Sequence, residues 1–157
     1  MSLPEPSPAN GFLAAHIQRL AASYRRLTGK ALVDPALDPI SAARFLYHAP
    51  FALLSHDAQK DPVFNYANLT AQRLFEMDWE SFTYLPSRLS AEPLAQAERQ
   101  RLLEEVQAKG YIAYYSGVRI TRSGKRFRIE GAQIWNVYDE EEQFCGQAAR
   151  IERWYWL

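Results

Sequence analysis

"DPVFNYANLTAQRLFE", residues 61–76, changes its period halfway along. Behind Asp61-Pro62, the residues Val63, Phe64 and Tyr66 read as a short strand over 63–67. From Leu69 the spacing is helical, with Leu69, Leu74 and Phe75 set among Thr70, Ala71, Gln72 and Arg73. Asn68 stands at the change and predicts an N-cap, because its side-chain oxygen can accept from the first free amides of a helix. A strand that enters a helix without a loop is either an ordinary β-to-α corner or the mouth of a pocket. Asn65 and Tyr66 point to opposite sides of an ideal strand, so only one of them can look into the fold; Asn65 is the candidate.

Working outward, the first ten residues, "MSLPEPSPAN", are rich in Pro and Ser and predict a flexible tail. Asn10 is placed to cap a helix running to about Leu27, with Gly29 as its stop. Leu13, Ile17, Leu20, Tyr24 and Leu27 form one narrow apolar stripe along it. Asp38-Pro39 predicts the cap and first residue of a shorter helix toward Tyr47, which Pro50 ends. Phe51 to His56 reads as a strand. Ser90 is expected to cap a longer helix ending before Gly110, with Leu94, Leu102, Leu103 and Val106 on its buried side.

From Tyr111 onward the period is two. Ser123-Gly124 reads as a two-residue hairpin turn that sets Ile120 against Phe127, Val118 against Ile129 and Arg119 against Arg128. A third strand, Phe144 to about Trp156, follows the acidic turn at 139–142. Helices, two strands, more helices and a three-stranded meander define an α+β chain with helices on one face of an antiparallel sheet.

The totals exclude several classes. At 157 residues, 48% hydrophobic and 23% charged, the chain is expected to be one globular domain. Eighteen basic residues balance eighteen acidic ones, so nothing points to nucleic acid or an anionic membrane. No apolar run approaches the roughly 18 residues of a membrane span, and cytoplasmic placement is expected. The single Cys145 excludes an internal disulfide and a cysteine-rich zinc site. His16, His48 and His56 lack metal-ligand spacing.

The segments "HAPFALLSHD" (48–57), "DPVFNYANLTAQRLFE" (61–76), "LPSRLSAEP" (85–93), "YYSGVRITRSGKRF" (114–127), Trp135-Asn136 and "GQAA" (146–149) together resemble the MEKHLA domain. The likeness runs over nearly the whole chain from the first helix on. It implies a PAS-like five-stranded antiparallel sheet over 49–157, N-terminal flanking helices over 11–48 and a tail over 1–10. MEKHLA domains occur as stand-alone bacterial proteins and at the C-terminal end of plant homeodomain–leucine zipper regulators; the stand-alone form is the expected analogue. The resemblance implies a sensor or interaction domain rather than an enzyme, and brings no catalytic residue, metal or cofactor with it.

In the hairpin register above, Tyr114, Ser116, Gln133 and Trp135 share the core face, with Ser116 opposite Gly131 leaving a small gap. Such a gap suits a mostly apolar ligand with one polar end, or else a helix packed close over it. Arg88 offers a fork of donors to a carboxylate or phosphate, or simply ties its loop down. Asn65, at the strand corner, completes the candidate ligand-binding set. The stripe of the first helix packs on its own domain or forms a homodimer seam. A small α+β-cup enzyme, a hydratase or isomerase, is the competing reading, and requires an inward carboxylate or histidine beside a cavity. A Cys145–His56–Asp57 hydrolase would require the strands to bring those three together.

Overall fold

A computed structural model describes residues 3–157, apart from the side chains of Pro93 and Leu94. The expected buried role of Leu94 therefore lies outside the described residues, as do Met1 and Ser2. From Leu3 the chain is laid against the body rather than free of it. Pro6 and Phe12 are buried, and the Trp79 indole donates to the Leu3 carbonyl at 3.0 Å. Asn10 closes a 3-10 turn (Pro8–Leu13) instead of capping a long helix, accepting from the Ser7 amide at 3.0 Å.

The helices are α1 (Ala14–Thr28), α2 (Pro39–Tyr47), α3 (Leu69–Phe75), α4 (Trp79–Thr83) and α5 (Pro93–Lys109). The strands are β1 (Ala52–Asp57), β2 (Phe64–Ala67), β3 (Tyr111–Ile120), β4 (Arg126–Tyr138), β5 (Phe144–Ile151) and β6 (Arg153–Trp156). Asp38 caps α2 through the Ser41 amide, and Asn68 caps α3 through the Ala71 amide. Ser90 caps nothing: its hydroxyl donates to the Ser87 carbonyl, and α5 begins at Pro93 behind Glu92.

The sheet order is β2-β1-β5-β4-β3, all antiparallel, with β6 beside β4. β5 and β6 continue one line along β4, from Asn136 opposite Gln147 to Phe127 opposite Trp156. Glu152 alone interrupts the third meander strand.

The β3–β4 hairpin corrects the expected register by one residue. Ile120 faces Arg126, Arg119 faces Phe127 and Gly117 faces Ile129. Thr121 and Lys125 close a three-residue loop, with the Thr121 amide on the Lys125 carbonyl at 2.8 Å and Gly124 at φ +90°. A left-handed glycine in the last loop position favours this longer turn over the two-residue one. Contacts from α3 hold it: the Arg122 amide donates to the Phe75 carbonyl, and the Ser123 hydroxyl to Glu76. A one-residue slip exchanges every side chain on a strand between faces. Arg119 therefore turns into the fold at 8% exposure, and Tyr114 turns out at 89%.

Of four further register shifts in the sheet, the two bulges at Gly131 and Asn65 move expected site residues. Gly131, at φ +63°, lies between the Gly117–Ile129 and Tyr115–Ala132 pairs, a conformation that favours glycine. Ala132 and Ile134 thereby line the inner face, whereas Gln133 and Trp135 face outward. In β2, Ser55 pairs with Tyr66 but His56 with Phe64, leaving Asn65 as the extra residue.

The two faces bury separate cores. Outside, α1 and α2 lay Ile17, Leu20, Tyr24 and Leu46 over Leu53, Trp135, Val137 and Ala148. Inside, α3 and α4 lay Leu74, Phe75 and Phe82 over Leu54, Phe127, Ile129 and Ile151. The stripe of α1 is thus covered by the chain's own sheet. Adjacent residues hold the opposite layers. Trp135 donates to the Leu20 carbonyl of α1 at 3.1 Å, and Asn136 donates to the Gln107 carbonyl of α5 at 3.1 Å. Gln147 adds a bond to the Leu103 carbonyl of α5 at 3.0 Å.

Candidate functional site

The inner sheet face and α5 enclose a cavity of about 60 Å³. It is lined by Leu54, Phe64, Phe75, Leu103, Ile129, Ile134 and Ile151, together with a few polar groups. One water needs about 10–15 Å³ by this measure, so the space holds about four to six non-hydrogen atoms as it stands. That is well below the roughly 300–1,000 Å³ of a large-cofactor pocket.

Arg99 and Arg119 are the charged groups of this wall, at 4% and 8% exposure. Arg99 comes from α5, in phase with Leu102, Leu103 and Val106 on its apolar side, and donates to the Ser87 hydroxyl. Arg119 comes from β3, donates to the Val118 carbonyl at 2.9 Å and lies 5.3 Å from the centre of the Tyr115 ring. Among the described residues, no carboxylate forms an ion pair with either. Burial first, then the field of Arg119, pushes the Arg99 pKa down to about 10. Asp61 partly opposes this through space, but its carboxylate is engaged by Arg88 at 3.2 Å. The Arg99 guanidinium therefore stays charged at neutral pH, in a largely apolar enclosure.

His56 adds an acceptor. Its Nδ1 lies 2.8 Å from the Asp57 carbonyl, which can only accept, so Nδ1 carries the proton. The buried Nε2 has no partner of good hydrogen-bond geometry among the described residues, although the nearby Gln147 side chain favours its protonation. Burial lowers the His56 pKa more than the Asp57 carbonyl raises it, and the imidazole is neutral at pH 7.

None of the six expected site residues lines this cavity. Trp135 and Gln133 face α1, where Gln133 accepts from the Tyr24 hydroxyl at 2.9 Å. Tyr114 and Gln133 border an open groove on the outer face, and Ser116 is exposed. Arg88 is an exposed partner of Asp61. Asn65 accepts from the Ser55 hydroxyl at 2.5 Å, and Ser55 also bonds His16 at 3.0 Å on the outer side. The register slip and the two bulges account for the Tyr114, Ser116, Gln133, Trp135 and Asn65 placements. The polar residues the sequence reading missed are Arg99, Arg119, Tyr115 and Gln147, while His56 was weighed only as part of a hydrolase triad. Arg99 carried a legible signal, a lone charge on the apolar side of its helix.

The hydrolase triad does not assemble. Cys145 packs against the outer core, while His56 lines the inner cavity and Asp57 holds Gln59 and the Val63 amide. For the same reason this sole cysteine is not placed for a flavin photoadduct in the cavity. Glu130 and Glu152, the strand glutamates that the hydratase or isomerase reading could draw on, do not line the cavity.

The family model of the MEKHLA domain matches residues 14–156. The chain belongs to the MEKHLA domain family. A search of curated proteins finds no relative. Solved structures share the fold. The PAS domain of a Colwellia psychrerythraea protein aligns with a TM-score of 0.60 at 17% identity, over 71% of this chain and 92% of that one. An RNA-binding light-oxygen-voltage receptor aligns at 0.63 and 18%, over 78% of this chain but only 35% of the receptor. A fungal LOV domain photoreceptor aligns at 0.59 and 12%, over 85% and 88%. The MEKHLA chain thus has the fold of PAS and LOV sensory domains. No described helix is long and apolar enough to cross a membrane.

Half-buried His16 and buried His56 make the domain acid-sensitive. Burial, then the charge of Arg19, lowers the His16 pKa to about 4. A histidine depressed in the folded state takes up protons more readily unfolded, so stability falls as pH drops from about 6.5 toward 4. His16 alone accounts for at most about 3 kcal/mol, and His56 acts in the same direction. Denaturant unfolding at pH 7 and pH 4.5 should show a smaller loss in His16→Gln than in the parent chain. Equal losses would refute this assignment.

Proposed function

We propose that this MEKHLA domain is a PAS-type sensory domain whose input is a small, mostly apolar molecule held in the inner cavity. The observation that carries the reading is the cavity itself: an apolar wall into which buried polar groups, Arg99, Arg119 and His56, are directed. The adjacent pair Trp135 and Asn136 supplies a route outward, since the first bonds α1 and the second bonds α5 beside the cavity. The reading requires no catalysis, nucleic acid or membrane, and places the protein in the cytoplasm. The N-terminal helical segment carries a homodimer contact in this proposal, supported by the exposed Ile40 and Phe45 of α2.

Titration of the full chain with 1-butanol, followed by amide NMR, tests the uptake. Shifts are expected at Leu54, Ala132 and Ala149 and, more weakly, at Leu20 of α1. Ala132→Leu, which fills the cavity, should remove them. No shift in the parent chain, with no small molecule retained in its native mass spectrum, would sink the reading. The same spectrum reads the dimer mass.

One observation favours the enzyme alternative, a hydratase or isomerase: His56 is a neutral inward base whose Nε2 has no hydrogen bond of ordinary geometry, with Gln147 beside the ring. Under the sensory reading, His56→Gln keeps ligand uptake. Under the enzyme reading it abolishes turnover of whatever molecule is retained.

A further inference from the structure

Arginines are rarely buried without an acid, and the inner cavity holds two. They come from elements distant in sequence, α5 and β3, and their like charges repel across a largely apolar enclosure. Each has a neutral partner, the Ser87 hydroxyl for Arg99 and the Val118 carbonyl with the Tyr115 ring for Arg119. Neutral partners satisfy individual N–H groups but leave two positive charges uncompensated. Arg126, by contrast, lies on the surface and is paired with Glu92 at 2.7 Å. Two buried arginines facing one cavity, with no acid paired to either among the described residues, leave room for an anion brought from outside.

We propose that the cavity receives a small organic acid, a monocarboxylate whose oxygens are held by Arg99 and Arg119 and whose hydrocarbon part lies on Leu54, Phe75, Ile129 and Ile151. The proposal rests on the reading that the cavity takes up a small molecule, and it names the class. A planar guanidinium matches a carboxylate with two parallel hydrogen bonds, and one carboxylate between two of them compensates one of the two charges and relieves their repulsion, with donors to spare. The remaining wall is largely apolar, with Ser55, His56, Ser90, Tyr115 and Gln147 as its polar groups and no lysine, so it favours a hydrocarbon body over a free phosphate. The free volume of about 60 Å³ sets the size at a chain of about four carbons unless the cavity expands.

The test compares butanoate, butanamide, 1-butanol and inorganic phosphate on the full chain by amide NMR titration. Butanoate is expected to bind at least about tenfold more tightly than butanamide, the discrimination typical of a charge-assisted pair. Arg119→Met should bring that ratio to about one while 1-butanol binding persists. Arg99→Met should do the same. If Arg99→Met fails to fold, the Arg119 variant and the parent ratio still decide. Equal binding of butanoate and butanamide by the parent chain overturns the carboxylate assignment and leaves uptake standing. Phosphate binding as tight as butanoate overturns the organic class. No binding of any of the four overturns both readings.

Discussion

Asn68→Ala is expected to lower stability by about 4 kcal/mol, and the melting temperature by about 8–16 °C. The side chain is fully buried and makes four hydrogen bonds to three elements. Its oxygen accepts from the Leu53 and Ala71 amides, both at 3.0 Å, joining β1 to the start of α3. Its amide donates to the Leu46 and Phe51 carbonyls, both at 2.9 Å, tying down the end of α2 and the approach to β1. Alanine leaves all four backbone groups without that partner in a site closed to water, and each such loss costs about 1–3 kcal/mol. The sum is not strictly additive, because α3 can relax. Asn68→Asp separates the contributions: it keeps both acceptor bonds but sets a second oxygen against two carbonyls. It should be at least as damaging at pH 7 and partly recover in acid. Thermal unfolding of the three chains checks this, and a drop under about 3 °C for Asn68→Ala would contradict it. The same burial closes Asn68 to glycosylation, although Asn68-Leu69-Thr70 has the sequon pattern.

Trp135→Ala should cost about 4 kcal/mol and loosen α1 selectively. The ring is fully buried, packs edge-on against Tyr24 at 4.8 Å and bonds the Leu20 carbonyl. Removing it opens a cavity between α1 and the outer sheet face. Amide exchange of α1 should then quicken well before that of β4 and β5, because those strands retain their inner core. Trp135→Phe keeps most of the packing and loses the hydrogen bond, a cost of about 1 kcal/mol. Exchange that quickens equally in α1 and the strands would mean that Trp135 supports the whole sheet rather than the helix contact.

Much of the fold is legible in local signals. Asp38, Asn68, Gly29 and Gly110 mark helix ends because caps depend on residues within one turn. Where a competing local partner exists, the reading fails: Ser90 bonds Ser87, so the start of α5 passes to Glu92-Pro93. The inner cavity was less legible. Arg99 was readable from its helical phase, but Arg119 was hidden by an extra loop residue, since Gly124 serves a three-residue turn as well as a two-residue one.

From the sequence alone come the order of elements, the corner at Asn68, the three-stranded meander and the likeness to the MEKHLA domain. These depend on neighbours a few residues apart, so they survive without knowledge of partners. Which face each strand residue occupies is decided only by the tertiary structure. The bulges at Asn65 and Gly131 and the slip at Gly124 each move side chains across the sheet. Long-range pairing sets them: the strand partners choose the bulges, and α3 grips the hairpin loop. That is why Trp135 serves the outer helix and Arg119 meets Arg99 inside.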